Sequence, residues 1–304
     1  MSILKLLREI PAGATFNDVL KLGDLDFTAA SKPVYFKDDN GNDVVVPFHM
    51  ATYRKDNDHP FGIVKSRYEI SQYRSQFGVC DVMSQEQGVE YVGVVSISGG
   101  NLGFIVMKTP DMLNLGGGLD VKCHFYMSSS HDGSKCLEAQ IIPVVNNTGG
   151  VIALPFRALK VRHTKRIEDK INEAKGTLTK LRSYWKEARD SFEMLAKIAL
   201  DDNEIKEYLE LIIEGDATRS DNIRGEIMDV YNSSLITAFP ATHKTLLGAY
   251  FSVVNWVDGF KGVKKSKKNN EEDALIHSRL IGAGATQKSN AYADALDFYQ
   301  KMVK

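Results

Sequence analysis

Cys123, His124, His131 and Cys136 fall within 14 residues, and all four are ligand types that suit zinc or a related metal. Cys123 and His124 are adjacent, so on a strand they point to opposite faces. No CxxC or HxxxH spacing is present to close a chelate. The residues read as buried thiols and a surface histidine, with no metal and no other cofactor. Nucleophilic chemistry finds no better footing, because spacing identifies no histidine partner for Cys80 or Cys136. Asp81, Glu86 and Glu90 are scattered carboxylates that form no acid/base pair. GxxxxGK[ST], HExxH, GxSxG and the kinase signatures are all missing. The glycine-rich IGAGA (281–285) follows a helical pattern rather than a strand, which fits close helix packing better than a dinucleotide loop. No catalytic residue is assigned, and the chain is not expected to be an enzyme.

One segment does mix cations with rings: YRKDNDHPFGIVKSRYEISQYRSQF (53–77). Single-stranded nucleic acid is held by cations that track phosphates and by rings on which bases stack. Along a strand over 61–70, Ile63, Lys65 and Arg67 share one face while Val64, Ser66 and Tyr68 share the other. Two successive cations on one face need solvent or a counter-charge. A half-solvated strand with its rings in the core explains the same pattern, and both readings stand.

The elements that position these residues divide the chain in two. From about Pro33 to Phe156 the sequence reads as strands and turns. VYFK (34–37) and DVVVPF (43–48) flank the Asn-Gly signal of DDNGN, while HMATYR (49–54) and FGIVKSRYEIS (61–71) flank KDNDHP. A short helix is expected over about 71–85. Further strands are expected at 89–98, 102–109, 119–130 and 135–145, joined by glycine-containing turns. Connections this short favour antiparallel neighbours. After Pro155 the period changes. Ile167, Ile171, Ala174, Leu178, Leu181, Trp185, Ala188, Phe192, Leu195 and Ala199 step by four and three without a break. This predicts a helix of roughly 50 Å over 165–200, then helices near 204–213, 221–238, 243–259, 271–283 and 289–303. The heptad stripe needs apolar cover, either from the later helices or from a second subunit.

Composition bounds the rest. The chain has 304 residues, 43% hydrophobic and 25% charged, which excludes a disordered or collagenous chain. No apolar run approaches the ~20 residues of a spanning helix, and the first residues fit no signal peptide. Three cysteines are too few for a disulfide framework, so a reduced, cytoplasmic setting is expected. Lys and Arg number 38 against 39 acids, yet the charge is segregated. Residues 160–189 carry ten bases and four acids, a balance of +6, whereas 200–230 carry ten acids and three bases, a balance of -7. Either the two segments neutralise each other, or the first is a ridge for phosphate.

Four stretches carry a resemblance. GIVKSRYEISQYRSQF (62–77) is similar to a G-V-V-G-x-x-Y-x-x-x-Q-x-x-x-x-F segment. VRHTKRIEDKINEA (161–174) resembles an arginine-histidine-threonine turn into a long helix. LLGAYFSVVNWVDG (246–259) resembles a segment ending in N-A-V-x-E-Y-x-D-H, with Asn255-Trp256 and Gly259 where the glutamate and histidine usually stand. HSRLIGAGATQKSNAYADAL (277–296) resembles an S-x-x-x-G-x-G-A-x-x-K-x-x-A-x-x-x-L ending. All four mark the phage- and plasmid-encoded family catalogued as domain of unknown function 932. The family's pattern of strands, inserted helix and long helix is similar in turn to single-strand annealing proteins of the Rad-fifty-two type. That likeness implies a ring- or filament-forming protein of phage recombination.

The expected architecture is α+β: an N-terminal arm (1–32), an antiparallel meander with an inserted helix (33–160), and a helical region (161–304) with a lysine-rich loop at 261–273. The expected function is binding of single-stranded DNA and promotion of annealing or recombination, without nucleotide hydrolysis. Phosphate contacts are assigned to Lys65, Arg67, Arg74, Arg162, His163, Lys165 and Arg166, and stacking to Tyr68 or Tyr73. A homo-oligomer is expected, with a phage or host replication or recombination protein as a further partner and no membrane. The alternative is a protein-binding factor, such as a defence antagonist, with no DNA affinity. A metal-dependent nuclease is the more remote rival.

Overall fold

The structure is a computed structural model and describes residues 3–164, 169, 176–263 and 270–303. The expected meander is present as two antiparallel sheets. A three-stranded sheet holds β2 (Ala29–Lys37), β3 (Asp43–Arg54) and β4 (Pro60–Lys65) in that order. A larger sheet runs β1 (Arg8–Glu9), β5 (Glu90–Ile97), β6 (Leu102–Asn114), β7 (Asp120–Ser130), β8 (Leu137–Ile141) and β10 (Arg157–Val161), with β9 (Val144–Val145) paired to β7. The two stretches expected as separate strands at 43–48 and 49–54 form the single strand β3. The DDNGN signal builds the expected turn: Asp38 Oδ1 accepts from the backbone of Asn40 and Asn42, and Gly41 takes a φ of 84°. The inserted helix is split into α2 (Tyr73–Gln76) and α3 (Gly78–Ser84).

Neighbouring residues of the central strands go to opposite clusters, as a pleated strand requires. Val94, Ile105, Met107, Phe125 and Met127 join the main core, with α1 (Phe16–Leu22) and α3 packed into it. Val95, Phe104, Val106 and Tyr126 face the other way, onto Ile3, Leu7, Ile276 and Leu280. Burial on both faces explains why β6 and β7 read as near-continuous apolar runs rather than alternating ones.

The helical half comprises α4 (Thr177–Leu195), α5 (Asp202–Ile212), α6 (Thr218–Asn232), α7 (Ser234–Thr237), α8 (Leu246–Gly259), α9 (Glu271–Leu280) and α10 (Ala283–Met302). Asp201 caps α5 in a reciprocal box with Glu204, the start its sequence signalled. Helix α8 is buried on every side, against α4, α5, α6 and α10. Its first turn lies against the Thr242 carbonyl so closely that a Cβ on Gly248 would sit 1.8 Å from that oxygen. Gly284 is similarly tight, 2.9 Å from the Ser278 carbonyl, so IGAGA serves the α9–α10 turn.

The heptad stripe is covered within the chain. Leu178, Leu181, Trp185, Ala188, Phe192 and Leu195 are all buried, with Phe192 edge-on to Phe251 and Tyr292. An intersubunit seam along these residues is therefore excluded. Helix α4 stops at Leu195, short of the expected 200, because Ala199 bridges to Thr245 and Leu200 N–H donates to the Lys244 carbonyl. Ile167, Ile171 and Ala174 lie outside the described residues.

One buried ion pair ties the halves together. Lys288 Nζ donates to Asp258 Oδ1 at 2.8 Å and to the Val151 carbonyl at 2.6 Å, and Asp258 Oδ2 accepts from Val151 N–H at 2.8 Å. The aspartate of the third resemblance stretch and the lysine of the fourth thus meet on the segment that leaves the sheet.

Candidate nucleic-acid interface

Strand β10 lies at the edge of the larger sheet, antiparallel to β8, with Lys160 opposite Glu138. A register shift between Arg157 and Leu159 breaks the alternation, so Arg157 and Lys160, three apart, both point outward. Across from them, β4 ends at Lys65 and the chain turns through Arg67 and Tyr68. The β7–β8 connection fills the floor. Asp132 anchors it by accepting from Asn101 Nδ2, Ser130 Oγ and Ser134 N–H. These hydrogen bonds outweigh burial and hold its carboxyl below the usual range.

The result is a groove of about 650 Å³. Lys65, Arg67, Lys135, Arg157, Lys160 and Arg162 line it against two acids, Asp132 and Glu138, a balance of +4. Arg157 stands 3.8 Å from Glu138. Among the described residues the other five cations have no carboxylate partner. The charge is not neutralised by the acidic segment either. The paired bases of α4 bond elsewhere, Arg182 to Glu86, Lys186 to Asp190 and Arg189 to Glu193, and no described base of 160–189 pairs with an acid of 200–230.

The groove brings together Lys65, Arg67, Tyr68, Arg162 and His163 of the residues singled out from sequence. The other assignments need correction or lie elsewhere. Tyr73 is a core residue, 1% exposed, stacked on Phe77, with its hydroxyl against the carbonyls of Gly100, Asn101 and Ser129. It cannot stack on a base. Arg74 is exposed but bonds Asn17, outside the groove. His163 is buried, and burial pushes its pKa down to about 4, so at neutral pH it carries no charge for phosphate. It supports Tyr68 instead: the rings stack at 4.9 Å and 13°, and the Tyr68 hydroxyl donates to the Ser130 carbonyl. Lys165 and Arg166 lie outside the described residues.

Ser129 Oγ sits 3.0 Å from His163 Nε2, the spacing of a nucleophile and base, yet Ser129 is fully buried and no substrate reaches it. The four soft ligands are dispersed. Cys123 is in the main core, His124 is buried on the other side of β7, His131 is caged by Phe27, Phe61 and Tyr73, and Cys136 lines the groove. Among the described residues no group of three His, Cys, Asp or Glu is placed to hold a metal ion.

Sequence reasoning misses Lys135, Arg157 and Lys160 as site residues. Lys160 belongs to the basic segment, but the bulge hides the strand that aims it and Arg157.

Fold and groove together define an α+β protein with a basic cleft at one sheet edge and helices behind it. The chain belongs to the family described as Domain of unknown function (DUF932), whose model matches residues 60–278. That span holds the first three resemblance stretches whole. No curated protein and no solved structure compared with the chain matches it. No described helix is long and apolar enough to cross a membrane.

Proposed function

We propose that this protein binds single-stranded DNA along the basic groove and promotes annealing or recombination without hydrolysing nucleotides. The observation that supports the reading is the set of five cations without carboxylate partners, facing one cleft beside the supported ring of Tyr68. Unpaired cations on a concave wall attract a phosphate chain and release its counterions. A ring held rigid by His163 and Ser130 offers a stacking surface at low entropic cost. A phage or mobile-element setting, implied by the resemblance, and a cytoplasmic location, expected from the cysteine usage, belong to the same proposal.

Self-association is part of the reading, on different support from the heptad stripe. At the free end of the β2–β3 hairpin, Tyr35 pairs with Val45 and Phe36 with Val44, and all four are exposed. Phe48 is 78% exposed, and Ile63, on β4 opposite Ala51, is 62% exposed. Adjacent residues point to opposite faces, so both faces of the ribbon are bare and apolar. A second copy covering it would give the ring or filament. A heterologous protein at the same place is the alternative, and it requires no DNA affinity.

Gel-shift titration with single- and double-stranded DNA at two salt concentrations tests the reading. Salt-sensitive binding that prefers the single strand is expected. Absence of binding at low salt refutes it and leaves the protein-binding alternative.

A further inference from the structure

A second cleft, of about 500 Å³, opens from the same sheet edge. This is within the range of roughly 300–1,000 Å³ typical of ligand pockets. It shares Lys135, Glu138 and Arg157 with the basic groove, so the two are continuous along β8 and β10. Their chemistry differs. Where the first wall is cationic, the second holds Phe156 and Tyr184, stacked at 5.2 Å and 13° and both half-buried. Opposite them stands the amino-terminal half of α10, with Ser289 and Asn290. Neither side chain makes a hydrogen bond among the described residues. Gln140, by contrast, is engaged, accepting from Tyr126 and donating to the Leu154 carbonyl.

Resting on the single-strand reading above, we infer that this second cleft receives bases of the same strand whose phosphates lie in the basic groove. The polarity comes from Glu138 at the junction. It lines both clefts and is paired with Arg157, so the second cleft, with Lys135 and Arg157 against Glu138, has a balance of only +1 beside the +4 of the basic groove, and phosphates are held on the more cationic side. A base has no such preference. An N–H on its edge, N3–H in thymine, can donate to a carboxylate, its ring can stack on Tyr184, and its edge can bond the free amide of Asn290. The ligand class is therefore a single-stranded segment long enough to span both clefts, with unpaired bases. A duplex, whose bases are already stacked and paired, does not offer them.

The test compares labelled oligothymidylate with an abasic oligonucleotide of equal length, by fluorescence anisotropy on the full chain. The abasic strand keeps the phosphates and lacks the rings. Wild type is expected to prefer oligothymidylate by about 5- to 150-fold. Tyr184→Ala and Asn290→Ala should each reduce that preference while the salt dependence of both ligands stays as in wild type. Tyr184→Phe, which keeps the ring, should retain it, and melting curves confirm that each variant folds. Equal wild-type affinity for the two strands overturns the base cleft while leaving phosphate binding intact. A preference that survives Tyr184→Ala and Asn290→Ala assigns the bases elsewhere, for instance to Tyr68, and also overturns it. Failure of wild type to bind either strand removes the groove reading and this one together.

Discussion

Replacing Lys288 with methionine perturbs the ion pair that joins helices α8 and α10 to the sheet. Lys288 is 0% exposed, and its ammonium satisfies Asp258 and the Val151 carbonyl at once. Burial lowers its pKa, and Asp258 opposes that shift by favouring the charged form. Methionine fills much the same volume but leaves Asp258 buried, with the Val151 N–H as its hydrogen-bond partner and the charge of buried Arg279 still acting on it. Breaking a buried pair from one side costs about 3–5 kcal/mol, because an uncompensated charge remains. With an unfolding entropy near 2.1 cal/mol/K per residue, a 304-residue cooperative unit would lose about 5–8 °C in Tm. The double variant Asp258→Leu, Lys288→Met removes both charges but frees the Val151 N–H and carbonyl, each costing about 1–3 kcal/mol if unpaired. Its destabilisation should fall well short of the sum of the two single effects. Scanning calorimetry on the four proteins decides. A single-variant shift below about 1 °C, or strictly additive effects, refutes the coupling.

Further outcomes follow from individual residues. Tyr73→Phe should destabilise by about 1–3 kcal/mol, since it removes a buried hydroxyl facing three carbonyls, and should leave any nucleic-acid affinity unchanged; chemical denaturation and anisotropy check the two halves. His131 and His163 are held neutral by burial, with pKa values of about 3 and 4 against an ordinary 6.5. Their contribution to stability is therefore complete above pH 6.5 and is lost as the pH falls through 4 toward 3. Tm should drop across that window, and His163→Gln should flatten the drop. Because His163 is uncharged, single-strand affinity should not rise between pH 8 and 5.5. Phe36→Ser with Phe48→Ser should abolish self-association in sedimentation velocity without lowering Tm, and a wild-type chain that stays monomeric at all concentrations contradicts the hairpin interface.

The parts of the fold written in local pattern were legible. The Asn-Gly turn, the Asp201 cap, the glycine-bounded strands and the Leu178–Leu195 part of the heptad stripe each rest on a few neighbouring residues, and these formed as read. What the sequence withheld depends on distant partners. That β2–β4 form a sheet of their own, while β1 and β10 add to opposite edges of the larger one, is decided by long-range pairing. Strand β10 is short, bulged and follows a loop, so alternation does not reveal it, and with it went Arg157 and Lys160. Tyr73 misled because a ring beside cations looks alike whether it faces solvent or core; its α2 position turns it inward against Phe77. His163 follows Arg162 in sequence but not in space, since neighbours on an extended segment face opposite ways. For the described bases of 160–189, the choice between neutralised and free charge needed the ion pairs themselves.

The salt dependence of single-strand binding tests the central claim most directly. Anisotropy with a labelled single strand, across about 50 to 200 mM salt, gives the slope of log K against log salt for wild type and for Arg67→Ala, Lys160→Ala, Arg162→Ala combined. These three are exposed and unpaired, so melting should be unchanged. Removing each phosphate-binding cation should flatten the slope by about 0.7, or roughly 2 for all three. Weaker binding with a flattened slope and an unchanged Tm is the predicted result. Equal affinity and slope in the two proteins would contradict the account.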